Sequence, residues 1–157
     1  MPNVTAKASS NVFFQARCEA ATHNDQLSSR EGAAEIMSID RGRLYRIENG
    51  LCTPYPDEIA LMADLYGKPE LRSYYCSHMC PLGADTIEPD VAGIDRITIQ
   101  ALSVLSRAEE TKVKLLDITA DGVISEDEHG TLKDILDNLT RMEKVTESLK
   151  LWIKKNL

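Results

Sequence analysis

At 157 residues the chain is long enough to bury a core and to hold one domain, or a small domain with an extension. Its 27% charged and 43% hydrophobic residues are ordinary for a soluble globular chain, and no apolar run approaches the roughly 20 residues needed to span a bilayer. The formal net charge of −7 argues against nucleic-acid binding by bulk electrostatics, with residues 1–80 holding 8 Lys/Arg against 10 Asp/Glu and residues 81–157 holding 10 against 15. Any such contact falls to a local cluster, Arg30, Arg41, Arg43 and Arg46. The N-terminus lacks a signal-peptide apolar stretch, so a cytoplasmic location without membrane partners is expected. Four cysteines in such a chain read as free thiols or metal ligands rather than a disulfide framework.

Residues 1–10 are small and polar and read as a disordered arm. A first helix is expected over Asn11–Ala21, capped by Asn11, with Val12, Phe13, Ala16 and Ala20 on one face. Residues 22–28 form a link in which His23 reads as a solvated loop histidine. A second helix starts near Ser29, and Ala33, Ala34, Ile36 and Met37 make it apolar and small enough for close packing. Ser38-Ile39-Asp40 breaks it, and the Asp40 carboxylate can cap a third helix in which Leu44 and Ile47 face inward. Arg41, Arg43, Tyr45 and Arg46 then point outward, and Asn49-Gly50 ends the helix. Two compact helices, the second with a basic outer face, have the form of a helix-turn-helix that lays a recognition helix in the DNA major groove.

The run from Ile39 to Gly50, IDRGRLYRIENG, with its Glu-Asn-Gly ending, resembles the recognition-helix signature of lambda-repressor-like (XRE-type) DNA-binding domains. Pro54 and the run Ile59–Tyr66 resemble that family's next helix, and the likeness covers roughly residues 11–75. It implies an ion pair between Arg17 and the Glu48 of Glu-Asn-Gly that braces the fold. Arg30 falls where family members usually carry a glutamine that bonds a phosphate or supports the recognition helix, and an arginine can also contact phosphate. Arg41, Gly42 and Arg46 match the positions that most often read base edges. Arginine suits guanine there because its two-pronged donor meets N7 and O6 together. Gly42 leaves one reading position without a side chain, Arg43 fits a phosphate contact, and Tyr45 can stack on or bond to the backbone. The link over 22–28 is about six residues longer than the family's usual one, a departure from its pattern.

Further helices are expected over Glu58–Tyr66 and Glu70–Tyr75, completing a five-helix domain over residues 11–81. Cys76, His78 and Cys80 follow, two thiols and an imidazole that can ligate a metal or pack as small apolar groups one turn apart. Residues 82–92, with Gly83, Asp85 and Pro89, read as a linker. Residues 93–157 read as a helical hairpin with arms over Gly93–Ala120 and Glu126–Leu157. In the second arm Leu132, Ile135, Leu139, Met142, Thr146, Leu149 and Ile153 recur in steps of three and four, a coiled-coil seam that points to self-association or else to a hairpin folded back onto the first domain. The joint between the arms, Asp117–Glu128, resembles a calcium-binding EF-hand loop with Asp117, Thr119, Asp121, Ser125 and Glu128 at ligand positions. The same residues also read as a turn at Asp121-Gly122 and a Ser125–Glu128 capping box.

The expectation is an all-α chain, a five-helix lambda-repressor-like domain followed by a C-terminal helical hairpin. Its expected function is sequence-specific transcriptional regulation through double-stranded DNA, as a repressor and a homodimer. No catalytic constellation or cofactor motif is present, so an enzyme is not expected. The alternatives are a protein-interaction module that meets a protein partner on a scaffold no longer binding DNA, and a metal-responsive regulator.

Overall fold

The computed structural model describes residues 10–120 and 122–157, so the expected arm over residues 1–10 lies outside the described residues but for Ser10. All regular structure among the described residues is helical, with no strand. The chain divides into two compact units, residues 1–86 and 87–157.

In the first unit α1 (Val12–Ala20), α2 (Arg30–Met37) and α3 (Arg41–Glu48) each begin where a short polar side chain takes the place of a missing backbone acceptor. The Asn11 carbonyl accepts from the amides of Phe13 and Phe14, Ser29 Oγ from Gly32, and the Asp40 carboxylate from Arg43 at 2.8 Å. Ser38 closes α2 in the left-handed region, φ 54°, so the chain turns into α3 within three residues. α4 (Pro56–Leu65) starts two residues before the expected boundary because Pro56 suits a first turn that needs no amide donor. α5 (Glu70–His78) runs three residues past its expected end.

These five helices enclose one core. Phe13, Leu27, Ala33, Leu44, Ile47, Met62 and Leu71 are essentially inaccessible to solvent. The link over 22–28 is an ordered part of this unit. It forms a 3-10 turn, Asp25–Ser28, that buries Leu27, and the Gln26 carbonyl lies so close to Gly32 that any Cβ there would collide with it. Glycine is required at that approach.

The second unit departs from a two-armed hairpin. Its first arm is two helices, α6 (Ile94–Leu105) and α7 (Ala108–Ile118), both packed on the long α8 (His129–Asn156). The break has a local cause. Ser106 Oγ donates to the Ser103 carbonyl, which a continuous helix would give to the Arg107 amide, and that amide bonds Val104 three residues back. Ile97, Val104, Ile118, Ile135 and Leu151 are buried in this unit, and Asn138 donates to Thr111 Oγ1 at 2.7 Å across the α7–α8 seam.

The division between the units falls inside the expected 82–92 linker, but the end of that segment is fastened to the second unit. The Asp90 amide donates to Ser148 Oγ at 2.9 Å, and its carboxylate pairs with Lys144 at 2.9 Å and accepts from Gln100 at 3.2 Å. The Lys144 hydrogen bond holds Asp90 below the ordinary carboxylate pKa of 3.8, outweighing the opposite effect of burial, and Gln100 adds to the lowering. Because the folded value lies below the unfolded one, the stabilisation is complete above the unfolded pKa and disappears as pH falls through the folded value. Asp90→Asn is therefore expected to lower stability at neutral pH, with the deficit shrinking below pH 3.8 in urea unfolding followed against pH. A deficit independent of pH contradicts this role.

Candidate nucleic-acid interface

The six residues expected to meet DNA lie on α3 and at the start of α2, but the structure gives them two different jobs. α3 buries Leu44, Ile47 and Glu48 and exposes Arg41, Gly42, Tyr45 and Arg46. Its inner face is locked by one carboxylate. Glu48 is wholly buried and accepts from Arg17 at Oε1 (2.5 Å) and Oε2 (3.1 Å), the ion pair implied by the family resemblance. Arg17 Nη1 also donates to the Leu27 carbonyl at 2.8 Å, so α1, the 22–28 link and α3 meet on one guanidinium. Burial opposes the Arg17 charge, but the hydrogen bond and charge of Glu48 prevail and its pKa is raised. Asn11, besides capping α1, donates to the Ile47 carbonyl at 3.0 Å and helps close the end of α3.

Arg30, at the position that in the family bonds a phosphate or supports the recognition helix, supports α3 from within. Its Nε bonds Glu48 Oε2 at 2.5 Å, and its guanidinium lies over the rings of Phe14 (5.8 Å) and Tyr45 (5.2 Å). Its side chain is only 25% exposed. Arg43, expected at a phosphate, is bound at both ends of its fork to Glu58 of α4, with Nη2–Oε2 at 2.7 Å and Nε paired to Oε1. The guanidinium stacks 3.9 Å above Tyr55, and the Glu58 hydrogen bond raises its pKa. Arg43 thus ties α3 to α4. Its stem sits on the outer helix, and its charge turns back into the protein.

The outward set is what remains. Arg41 is 68% exposed and, among the described residues, makes only an exposed pair with Glu31 of α2 at 2.7 Å, a contact weak enough to exchange for another anion. Arg46 is exposed and has no ion-pair partner among the described residues. Tyr45 is 46% exposed and stiffened by Arg30 beneath it. Gly42 keeps the first turn flat, so a ligand can approach the backbone closely. Glu31, Tyr55 and Glu58 complete the electrostatics of α3 and are not legible as site residues in the sequence. Glu58 carries only the sign of a first-turn acid, where its carboxylate also accepts from the Tyr55 amide at 2.7 Å.

The expected metal ligands are not brought together. Cys76 is exposed and Cys80 half-buried, both as free thiols, while the His78 ring stacks on Tyr74 at 4.4 Å, its Nδ1 2.9 Å from Ser77 Oγ. No group of three His, Cys, Asp or Glu able to hold a metal ion occurs among the described residues. In the 117–128 joint Asp121 lies outside the described residues. Of the rest, Thr119 donates back to the Leu115 carbonyl, and Glu128 accepts from the amide and hydroxyl of Ser125, the capping box. Helix ends take up these expected ligands.

No family model, curated protein or solved structure matches this chain.

Glu48→Ala is expected to destabilise the first unit by about 3–5 kcal/mol, since it leaves two guanidinium groups without their buried counter-charge. Arg41→Ala, which removes only an exposed pair, is expected to cost about 1 kcal/mol or less. Urea midpoints of the two variants check the contrast, and similar losses contradict the division of the arginines into inner and outer sets.

Proposed function

We propose that this chain is a sequence-specific double-stranded-DNA-binding transcriptional regulator, acting as a repressor through a lambda-repressor-like helix-turn-helix. One observation carries the reading: α2, a three-residue turn and an Asp40-capped α3 whose inner face is fixed by Glu48 and whose outer face offers Arg41, Gly42, Tyr45 and Arg46. In this reading α3 enters the major groove. Arg41, in its first turn, and Arg46 reach base edges, Gly42 admits close approach, and Tyr45 meets the sugar–phosphate backbone. Arg30 and Arg43 hold the helix at its angle and take no part in direct readout. The C-terminal unit pairs two copies, so that two recognition helices address two half-sites.

A second reading, a protein-interaction module on the same scaffold, is favoured by the net charge of −7. The two separate on the outward arginines. With the tightest duplex selected from a randomised library, Arg41→Ala and Arg46→Ala are each expected to cost about 1–3 kcal/mol of discrimination and to relax base preference at one position. Unchanged affinity and preference in both variants contradict the assignment of Arg41 and Arg46 as readers.

A further inference from the structure

α8 carries two apolar faces, and the packing of its own unit uses one. Ile135, Ser148 and Leu151 are buried, whereas Leu132, Leu136, Leu139, Leu149 and Ile153 are 36–61% exposed. Leu132, Leu139, Thr146 and Ile153 recur at every seventh residue, and Leu136 and Leu149 widen the row. That recurrence is the spacing of a coiled-coil seam, and it runs for most of a helix about 42 Å long. An uncovered apolar row of this length marks an interaction surface.

We propose that α8 pairs antiparallel with α8 of a second copy of this chain through this row, making a two-fold homodimer. The inference rests on the reading that the C-terminal unit self-associates, and it adds the surface and the direction. The row is complementary to itself about a point between Met142 and Glu143. Reversing the helix there sets Leu132 against Ile153 of the second copy, Leu136 against Leu149 and Leu139 against Thr146. Charge chooses the same direction. The chain enters α8 through Glu126, Asp127 and Glu128 and leaves through Lys154 and Lys155, so an antiparallel pair sets acid against base and opposes the two helix dipoles. A parallel pair would instead stack acid on acid at one end and bring Lys150 to Lys150. The outward residues of α6, Ile94, Ile99, Leu102 and Leu105, span about three turns, less than half the length of α8.

Two like-charged pairings remain in the antiparallel register, and one of them is Glu143 beside its own copy at the two-fold point. The other is Lys133, which flanks the row beside Lys154 of the second copy. It supplies a test of direction. Sedimentation equilibrium of the full chain without DNA reads self-association independently of any DNA-binding property. The wild-type chain is expected to be a dimer. Leu136→Gln with Leu139→Gln, both at exposed positions, is expected to weaken it about 30-fold or more, a hot-spot-sized loss, with helicity retained. Lys133→Glu is expected to tighten the dimer about twofold to tenfold by exchanging two repulsions for two exposed ion pairs. A wild-type monomer at the highest soluble concentration overturns both self-association and this surface. A dimer indifferent to the two leucine changes leaves self-association standing and overturns this surface. A dimer that Lys133→Glu leaves unchanged or weakens overturns the antiparallel direction.

Discussion

A single buried carboxylate sets the geometry of the first unit. Glu48, the last residue of α3, is held by Arg17 from α1 and Arg30 from the start of α2, so three helices converge on two oxygens. A charge without solvent is tolerable only when fully paired, which makes the arrangement nearly all-or-none and discourages alternative packings. Arg17 also reaches the Leu27 carbonyl, so the longer 22–28 link is held to the same centre. The angle at which α3 presents its outer face follows from this cluster and from the Arg43–Glu58 pair across to α4.

The basic residues consequently differ in kind despite their proximity in sequence. Arg17, Arg30 and Arg43 spend their charge inside the protein, on Glu48 and Glu58. Arg41 and Arg46 keep theirs at the surface. In a chain with a net charge of −7, the basic groups left at the surface of this unit's α3 are these two, confined to one side of the helix. In the proposed reading, a surface of that size suits a DNA reader that gains affinity from two copies better than one that binds as a single domain. The apolar row left open on α8 is consistent with that economy.

Much of this was legible in the sequence where the signal is local. Asp40 before a run with Leu44 and Ile47 three apart marks the start and the inner face of α3, and Asn11 and Ser29 mark α1 and α2 in the same way. The Arg17–Glu48 pair was accessible only through the family resemblance, since nothing in a separation of 31 residues announces contact. Pairing between distant residues accounts for what was missed. Arg43 has the spacing of an outward residue, and only the position of Glu58 on the neighbouring helix turns its charge inward. The break between α6 and α7 was hidden for another reason. Ile97, Val104, Thr111 and Ile118 recur every seven residues through it, so periodicity sees one helix, while the interruption comes from a serine hydroxyl substituting for a backbone amide. Cys76, His78 and Cys80 show the converse. Their closeness in sequence suggested a shared ligand, yet the His78 ring stacks on Tyr74.

The most direct test is fluorescence-anisotropy titration of the full chain against duplex DNA from upstream of its own gene, alongside a scrambled duplex, over a range of salt concentrations. The expected result is tighter binding to the upstream duplex, with log affinity falling linearly against log salt by a slope that counts the phosphates neutralised. Absence of binding to any duplex at low salt would contradict the DNA-binding reading and leave the outer face of α3 to a protein partner.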